Sequence, residues 1–403
     1  MTQAQSLAGV RVLDLARVLA GPWATQVLGD LGAEVIKIEK PGAGDDTRGW
    51  GPPFTTRPDG GQGDAAYYLA ANRNKRSVTI DFAKPEGAEI VRRLVPHCHI
   101  VVENFKTGGL AKYGLDYARL AAINPALVYC SITGFGQTGP YRKRAGYDYM
   151  IQAMGGLMSL TGEPEGEPMK SAVAVADLFT GMYAVSATLA ALRHAERTGQ
   201  GQHIDVSLLD CQIAMLANLG MNYLVSGETP QRLGNAHASI APYQVFATAD
   251  GHLVLAVGND GQFREFCRAA GAALADDPRF AHNAARVANR TALTEALSAI
   301  MRTKTTAAWI AALEAAEVPC GPINTLPQVY ADPHVVARGA VEEMTRSDGA
   351  RVQLAASPLR MSVTPPQPRR APPLLGEDTD RVLSELIGAD ATQCALWRAA
   401  GVL

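Results

Sequence analysis

An α/β fold built on a parallel sheet is what this 403-residue sequence predicts. Three observations point there. Short apolar runs alternate with helix-like segments through the first 135 residues, the order that sets helices on the faces of a parallel sheet. After residue 226 the texture changes to a Gly/Pro/polar loop and a hairpin-like pattern, marking a second, smaller domain. The length, at about 150 residues per domain, fits two or three domains and excludes one small module.

In chain order, Arg11 to Leu15 reads as the first strand, Gly21-Pro22 to about Leu31 as a helix, and Glu34 to Glu39 as the second strand. Pro22 suits a first helical turn, where its missing N–H is no loss. Strands at 76–82, 99–105 and 126–133 then enclose helical segments at 84–95 and 116–124. Two very apolar stretches follow, 171–192 with Asp177 as its only charge and 206–225 with Asp210 as its only charge. An Asp near the centre of a membrane span costs roughly 2.5–3.5 kcal/mol, so both read as buried helices and no membrane is expected. The loop 226–242 leads to YQVFAT and HLVLAVG, a hairpin closed by Ala249-Asp250-Gly251, and then to helices near 260–270, 288–302 and 305–317. The Pro-rich stretch 364–373 reads as an extended strap with two short helices after it. The expected division is 1–225 as the N-terminal part of a large domain, 226–330 as a smaller α+β domain, and 331–403 returning to the large one.

Hydrophobic residues at 47% and charged residues at 19% exclude a disordered chain. Lys plus Arg (37) against Asp plus Glu (39) leaves no basic field for a long polyanion, so nucleic acid is not an expected partner. Six cysteines at 98, 130, 211, 267, 320 and 394 form no C-x-x-C pair and no dense disulfide framework, which fits a reducing compartment. The first residues lack a basic segment followed by an apolar one, and the chain reads as cytoplasmic.

Gly134-Phe135-Gly136-Gln137-Thr138-Gly139 satisfies G-x-G-x-x-G after a predicted strand. A dinucleotide fingerprint also needs a helix opening on those glycines, and Pro140 with Tyr141-Arg142-Lys143-Arg144 interrupts at once. A flexible turn beside an anion-binding basic run is the better reading. No P-loop, H-E-x-x-H or G-x-S-x-G occurs, and the histidines form no ligand pattern, so no metal is expected. Basic residues cluster at Lys37 and Lys40, at Arg73, Lys75 and Arg76, and at Arg142 to Arg144, consistent with ordinary surface charge or with a site for a phosphorylated small molecule. Asp177, alone in an apolar helix, must be paired, protonated or at the helix start, and its residue-level reading leaves a structural and a catalytic carboxylate both open.

The runs VLDLARVLAGPWATQVLGDLGAEVIKIEKPGAGDDTRGWG, NRNKRSVTIDF, VVENFKTGGLAKYGL, SITGFGQTGPYRKRAGYDYMIQAMGGLMSLTG, DLFTGMYA and RTGQGQHIDVSLLD resemble the family III CoA-transferases, also called the CaiB/BaiF family, from residue 7 to about 360. The resemblance implies a Rossmann-like large domain with a parallel sheet, a smaller α+β domain and an interlocked homodimer. It implies an enzyme that moves CoA from an acyl-CoA to a small carboxylic acid, with no prosthetic group. Asp177, in D-x-x-[ST]-G, takes the place of the nucleophile, passing through mixed-anhydride and aspartyl-CoA thioester intermediates. By the same resemblance CoA is lined by Arg17, Val18, Ala20, Lys40, Ile80, Asn104, Phe105, Lys112 and Arg144. Tyr147 and Asp148, with Gly234, Asn235 and His237 of a lid-like loop, belong to the substrate region.

Arg17 and Leu19 depart from the formyl-CoA transferase pattern, where a His precedes the Val and a Gln follows it. The stretches GNAHASIAPYQVF and AVGNDGQF resemble members that transfer CoA from succinyl-CoA to other dicarboxylates, and Arg17 or Arg48 suits a distal carboxylate. The rival activity is a 2-methylacyl-CoA racemase of the same fold, whose relatives carry a His where Tyr147 stands. A phenol with a pKa near 10 is a poor base at neutral pH. A CoA-binding protein without chemistry would leave the position of Asp177 unexplained.

Overall fold

The computed structural model describes residues 5–403 and divides into two compact units. The first comprises Met1–Gly155, Ala172–Met215 and Pro333–Leu403, and the second Gly156–Ser171 and Leu216–Asp332. The division thus falls at 215/216 instead of 225/226, and the short excursion 156–171 leaves the first unit for the second.

The first unit is built on six parallel strands: β1 (Arg11–Asp14), β2 (Glu34–Glu39), β3 (Lys75–Thr79), β4 (Ile100–Glu103), β5 (Val128–Thr133) and β6 (Gln202–Ser207). Their order is β3-β2-β1-β4-β5-β6. Neighbouring residues of one strand serve opposite faces. Val12, Val35, Ile100, Val128 and Ile132 join one hydrophobic core, while Leu13, Ile36, Val78, Val101 and Tyr129 join another. That two-sided burial explains why the central strands β1, β4 and β5 read as mostly apolar runs. The chain turns from one side of the sheet to the other between β1 and β4, the switch point outside whose strand ends open α/β sheets bind ligands.

The helices of this unit include α1 (Ala20–Asp30), α2 (Pro85–Leu94), α3 (Tyr117–Ile123), α4 (Asp148–Met154) and α5 (Val175–Thr198). Gly181 of α5 faces α1 at close range; a Cβ there would stand 2.8 Å from the Ala20 carbonyl oxygen and 3.1 Å from Trp23. The stretch 206–225 is not the single buried helix expected of it. It divides into β6, α6 (Leu208–Met215) and α7 (Ala217–Ser226), with a 77° bend between the helices. No residue of α7 is buried, and Leu224 and Val225 are 73% and 80% exposed. By length and composition α5 could cross a membrane, but Ala176, Thr180, Gly181, Ala184, Val185 and Thr188 are buried against the unit's own core.

The Pro-rich strap docks on the first unit by backbone groups. Asn74 donates its backbone N–H to the Arg370 carbonyl, and its side-chain oxygen accepts from the backbone N–H of Arg369 and of Arg370. An antiparallel pair at Val341–Thr345 and Arg351–Ala355 precedes the strap, an element absent from the sequence reading. In the second unit, strands Tyr243–Ala247, His252–Ala256 and Cys320–Pro322 form an antiparallel sheet. The first two pair as the expected hairpin, with Ala247 opposite His252. Helices at Asp260–Ala270, Arg290–Met301 and Thr306–Ala315 pack around Phe246, Leu255, Phe266, Leu297 and Trp309.

Candidate active site

At the switch point the first unit carries a cavity of about 430 Å³. Arg17, Val18 and Ala20 come to it from the turn after β1, Asn104, Phe105 and Lys112 from the segment after β4, and Arg142, Arg144 and Tyr147 from the segment after β5. Asp177 at the start of α5 completes the wall. A second cavity, of about 440 Å³, is lined by Lys40, Ile80, Asp45 and Asp46, and shares Arg17, Phe82 and Phe105 with the first.

The backbone reason for this convergence lies partly in two glycines. A Cβ on Gly134 would stand 2.5 Å from the Gly146 Cα, so the chain leaving β5 and the chain entering α4 touch backbone to backbone. No helix opens on the Gly134–Gly139 segment, where Gly136 and Gly139 have φ of +84° and +78°. The dinucleotide reading fails on that geometry.

Asp177 sits in the first turn of α5, where the N-cap Ala174 offers no capping side chain. Asp148 supplies the cap from α4, its Oδ1 accepting from the backbone N–H of Ala176 at 2.8 Å and of Asp177 at 3.3 Å. Burial, reinforced by the charge of Asp148, pushes the Asp177 carboxyl from 3.8 up to about 7. No cation pairs with it among the described residues. The Tyr67 phenol is also raised, first by burial and then by the charges of Asp177, Asp148 and Asp45, so it belongs to the same neighbourhood. Sequence reasoning missed Tyr67, and also Phe82 and Tyr113 of the cavity wall. Nothing in their spacing marks them, since loops from separate strands bring them in.

The turn between β1 and α1 is held tightly. Asn104 accepts from the Arg17 N–H at 2.9 Å and donates to the Arg17 carbonyl at 2.6 Å. Val18, at φ +71°, occupies left-handed backbone that β-branched residues avoid, and its N–H meets the Asp45 carboxylate at 3.3 Å. Lys37, fully buried, donates to Asp45 and to the Ala16 carbonyl, both at 2.9 Å. Burial alone would raise Asp45, but the Lys37 charge and the Thr47 donors lower it to about 2.

The remaining expected residues distribute unevenly. Lys112, Arg142 and Arg144 line the first cavity without an ion-pair partner among the described residues, joined there by Lys106, which the sequence reading had not singled out, so these charges are available to an anion. Arg17 instead pairs with Asp46 at 3.0 Å and lies 5.2 Å over the Phe105 ring, at the seam of the two cavities. Arg48 is not brought to either cavity, and its expected meeting with a substrate carboxylate is corrected on that ground. Its guanidinium is buried in hydrogen bonds to both Glu39 oxygens (2.8 and 2.7 Å), to Asp64 (3.0 Å), to the Tyr68 hydroxyl (2.7 Å) and to the Pro373 carbonyl. Gly234, Asn235 and His237 belong to the second unit. There the Gly234 N–H reaches the Gly162 carbonyl, and His237 donates its backbone N–H to the Tyr243 carbonyl while its Nδ1 accepts from Ser239. No cluster of metal-ligating side chains occurs among the described residues.

Beyond the ends of the central strands, cations thus stand around a cavity whose wall holds a carboxylate with no cation partner among the described residues. Residues 7–379 match CoA-transferase family III. A succinate–glutarate CoA-transferase of Agrobacterium fabrum is 56% identical over 381 residues, 94% of this chain and 95% of that one. The human succinyl-CoA:glutarate CoA-transferase is 42% identical over 404 residues, covering 100% of this chain and 91% of its own length. A crystal structure of a CaiB/BaiF family protein from Brucella suis superposes with a TM-score of 0.84 at 52% identity, over 95% of this chain and 100% of the other. The protein is an enzyme of the CoA-transferring class. It belongs to CoA-transferase family III.

Proposed function

We propose that this enzyme moves CoA from succinyl-CoA to a second dicarboxylic acid, glutarate being the first to test, with Asp177 as nucleophile. The observation that carries the reading is the desolvated, cation-free Asp177 carboxylate opening into a cavity rimmed by Lys106, Lys112, Arg142 and Arg144. The Asp177 oxygen attacks the thioester carbonyl, the C–S bond breaks, and CoA thiolate leaves a mixed anhydride. The thiolate then attacks the Asp177 side of the anhydride, giving an aspartyl-CoA thioester and free succinate. The acceptor carboxylate reverses the two steps, so the thioester is conserved. Burial makes the carboxylate more basic than an ordinary one and keeps water from the intermediates. Arg142, Arg144, Lys112 and Lys40 take the phosphates, and Arg17 with Phe105 holds the seam between nucleotide and acyl ends. The substrate preference rests on the names of the similar enzymes.

The proposal extends to the assembly and its setting. Phe179, Met182 and Tyr183 on α5, and Leu224 and Val225 on α7, are exposed apolar side chains of the kind a second copy covers, in the interlocked homodimer the resemblance implies. Light scattering should return twice the 42.6 kDa chain mass. Free thiols at all six cysteines fit a cytoplasmic location.

The test is mass spectrometry in heavy water, with succinyl-CoA and separately a 2-methylacyl-CoA, each against a panel of free acids. Glutaryl-CoA, or another new acyl-CoA, without α-deuterium is the expected product. Deuterium at the α-carbon with no new thioester would make the enzyme a racemase.

A further inference from the structure

The carboxylate that most directly governs Asp177 is on a different helix. Asp148 opens α4, and one of its oxygens spans the two backbone N–H groups at the start of α5, those of Ala176 and Asp177 itself. Its other oxygen accepts from Gln152 Nε2 at 2.6 Å, one turn along α4. Gln152 is fully buried, so the carboxylate is fixed from both sides. An N-terminal cap normally comes from the residue just before the helix. Here that residue is an alanine, and the cap is delivered across the fold, 29 residues away in sequence.

We propose that Asp148 is a positioning residue for the transfer reaction: it fixes the backbone of Asp177 through the α5 amides and sets its own negative charge beside the nucleophile. The inference rests on the reading of Asp177 as the nucleophile. The charge and the cap act on different quantities, which makes them separable. The cap sets where the Asp177 side chain starts and so acts on kcat. The charge disfavours a second negative charge beside it, in the direction that burial already drives Asp177. The other groups facing this pair are the Tyr67 phenol from the segment after β2 and, across the cavity, Arg142 and Arg144. The phenol is uncharged at neutral pH, and neither arginine forms an ion pair with Asp148 or Asp177 among the described residues.

Asp148→Asn separates the two roles. The amide oxygen can still accept from Ala176 and Asp177, so the cap survives while the charge is lost; turning Gln152 to accept from the new N–H₂ gives up its 3.4 Å bond to the Val173 carbonyl, a cost the melting temperature reads. Transfer from succinyl-CoA is followed by kcat/KM against pH for the wild type and the variant, with the melting temperature of each. The acid limb of D148N is expected to move to lower pH by about half a unit or more, with a severalfold lower plateau because a less basic carboxylate is a poorer nucleophile. Asp148→Ala, which removes the cap as well, is expected to lower kcat about tenfold further with KM nearly unchanged. A D148N limb that superimposes on the wild-type limb overturns the proposal, as does a D148A loss that only tracks the folded fraction. Hydroxylamine trapping of the acyl-CoA-loaded wild type keeps the two readings apart. An adduct on a residue other than Asp177 removes the nucleophile assignment, and this inference with it. An adduct on Asp177 with an unmoved limb removes only the role of Asp148.

Discussion

Asp45 is buried and Asp177 partly buried at the cavity wall, both beyond the strand ends of the same sheet, and the two carboxylates are held in opposite states. Desolvation pushes both upward. Asp45 has Lys37 at 2.9 Å and the Thr47 donors, and ends at about 2. Asp177 has no cation and a second carboxylate nearby, and ends at about 7. The difference teaches how one sheet edge serves two purposes. Where the chain must hold a strained turn, the charge is matched and permanent; at the residue proposed as the nucleophile, it is left uncompensated.

The largest test of this contrast is Asp177→Ala. Removing the proposed nucleophile should cost about 10⁴-fold in kcat or more, whereas the melting temperature should not fall, because an unmatched, partly buried carboxylate opposes folding at neutral pH. Steady-state kinetics beside calorimetry reads both, and a turnover close to wild type would remove Asp177 from the chemistry. Asp45→Asn should do the converse. It strands the Lys37 ammonium in the core, a loss of about 3–5 kcal/mol by urea denaturation, and a variant as stable as wild type would mean the pair holds nothing.

The pH dependence sharpens the comparison further, since the two carboxylates run in opposite directions. The folded Asp177 value lies above its unfolded one of 3.8, so its contribution to stability is full below about pH 4 and is lost as pH rises through about 7. Asp45 contributes above its unfolded value and loses that as pH falls toward 2. Denaturation should show the stability of wild type relative to Asp177→Asn falling by up to about 1.4 kcal/mol per pH unit between pH 4.5 and 7, then levelling. A flat difference would mean that Asp177 titrates normally. Glu103, also raised to about 7 by burial, is common to both proteins and cancels. The smallest effect is expected from Val18→Gly. Released left-handed strain offsets the greater unfolded entropy of glycine, so stability changes by no more than about 1 kcal/mol, while kcat/KM falls severalfold as the turn loosens.

What the sequence disclosed, it disclosed through local pattern. The central strands buried on both faces are mostly apolar runs, and Asp177 stands out because nothing near it in sequence is charged. Arg48 could not be read in the same way. Its partners Glu39, Asp64, Tyr68 and Pro373 are gathered by strand register and by a strap more than 300 residues away, so a basic residue near the site looked like a ligand and is a structural cation. The stretch 206–225 misled for a related reason. Apolar composition describes a buried helix and an exposed one equally well, and only the bend after Met215 separates α6 from the exposed α7. Asp148 was legible as part of a motif, but its bond to the α5 amides is a tertiary fact.

Gly181 gives the D-x-x-T-G segment a second meaning. Its missing side chain lets α5 lie against the Ala20 carbonyl and Trp23, so the helix that carries the carboxylate rests on the helix whose leading turn forms the facing wall. The width of the chamber is thus gauged by a single absent methyl group, four positions beyond the carboxylate in the same helix. A lineage could remodel every loop around the opening and alter which acid enters, but it could not enlarge this one residue without spreading the two walls apart.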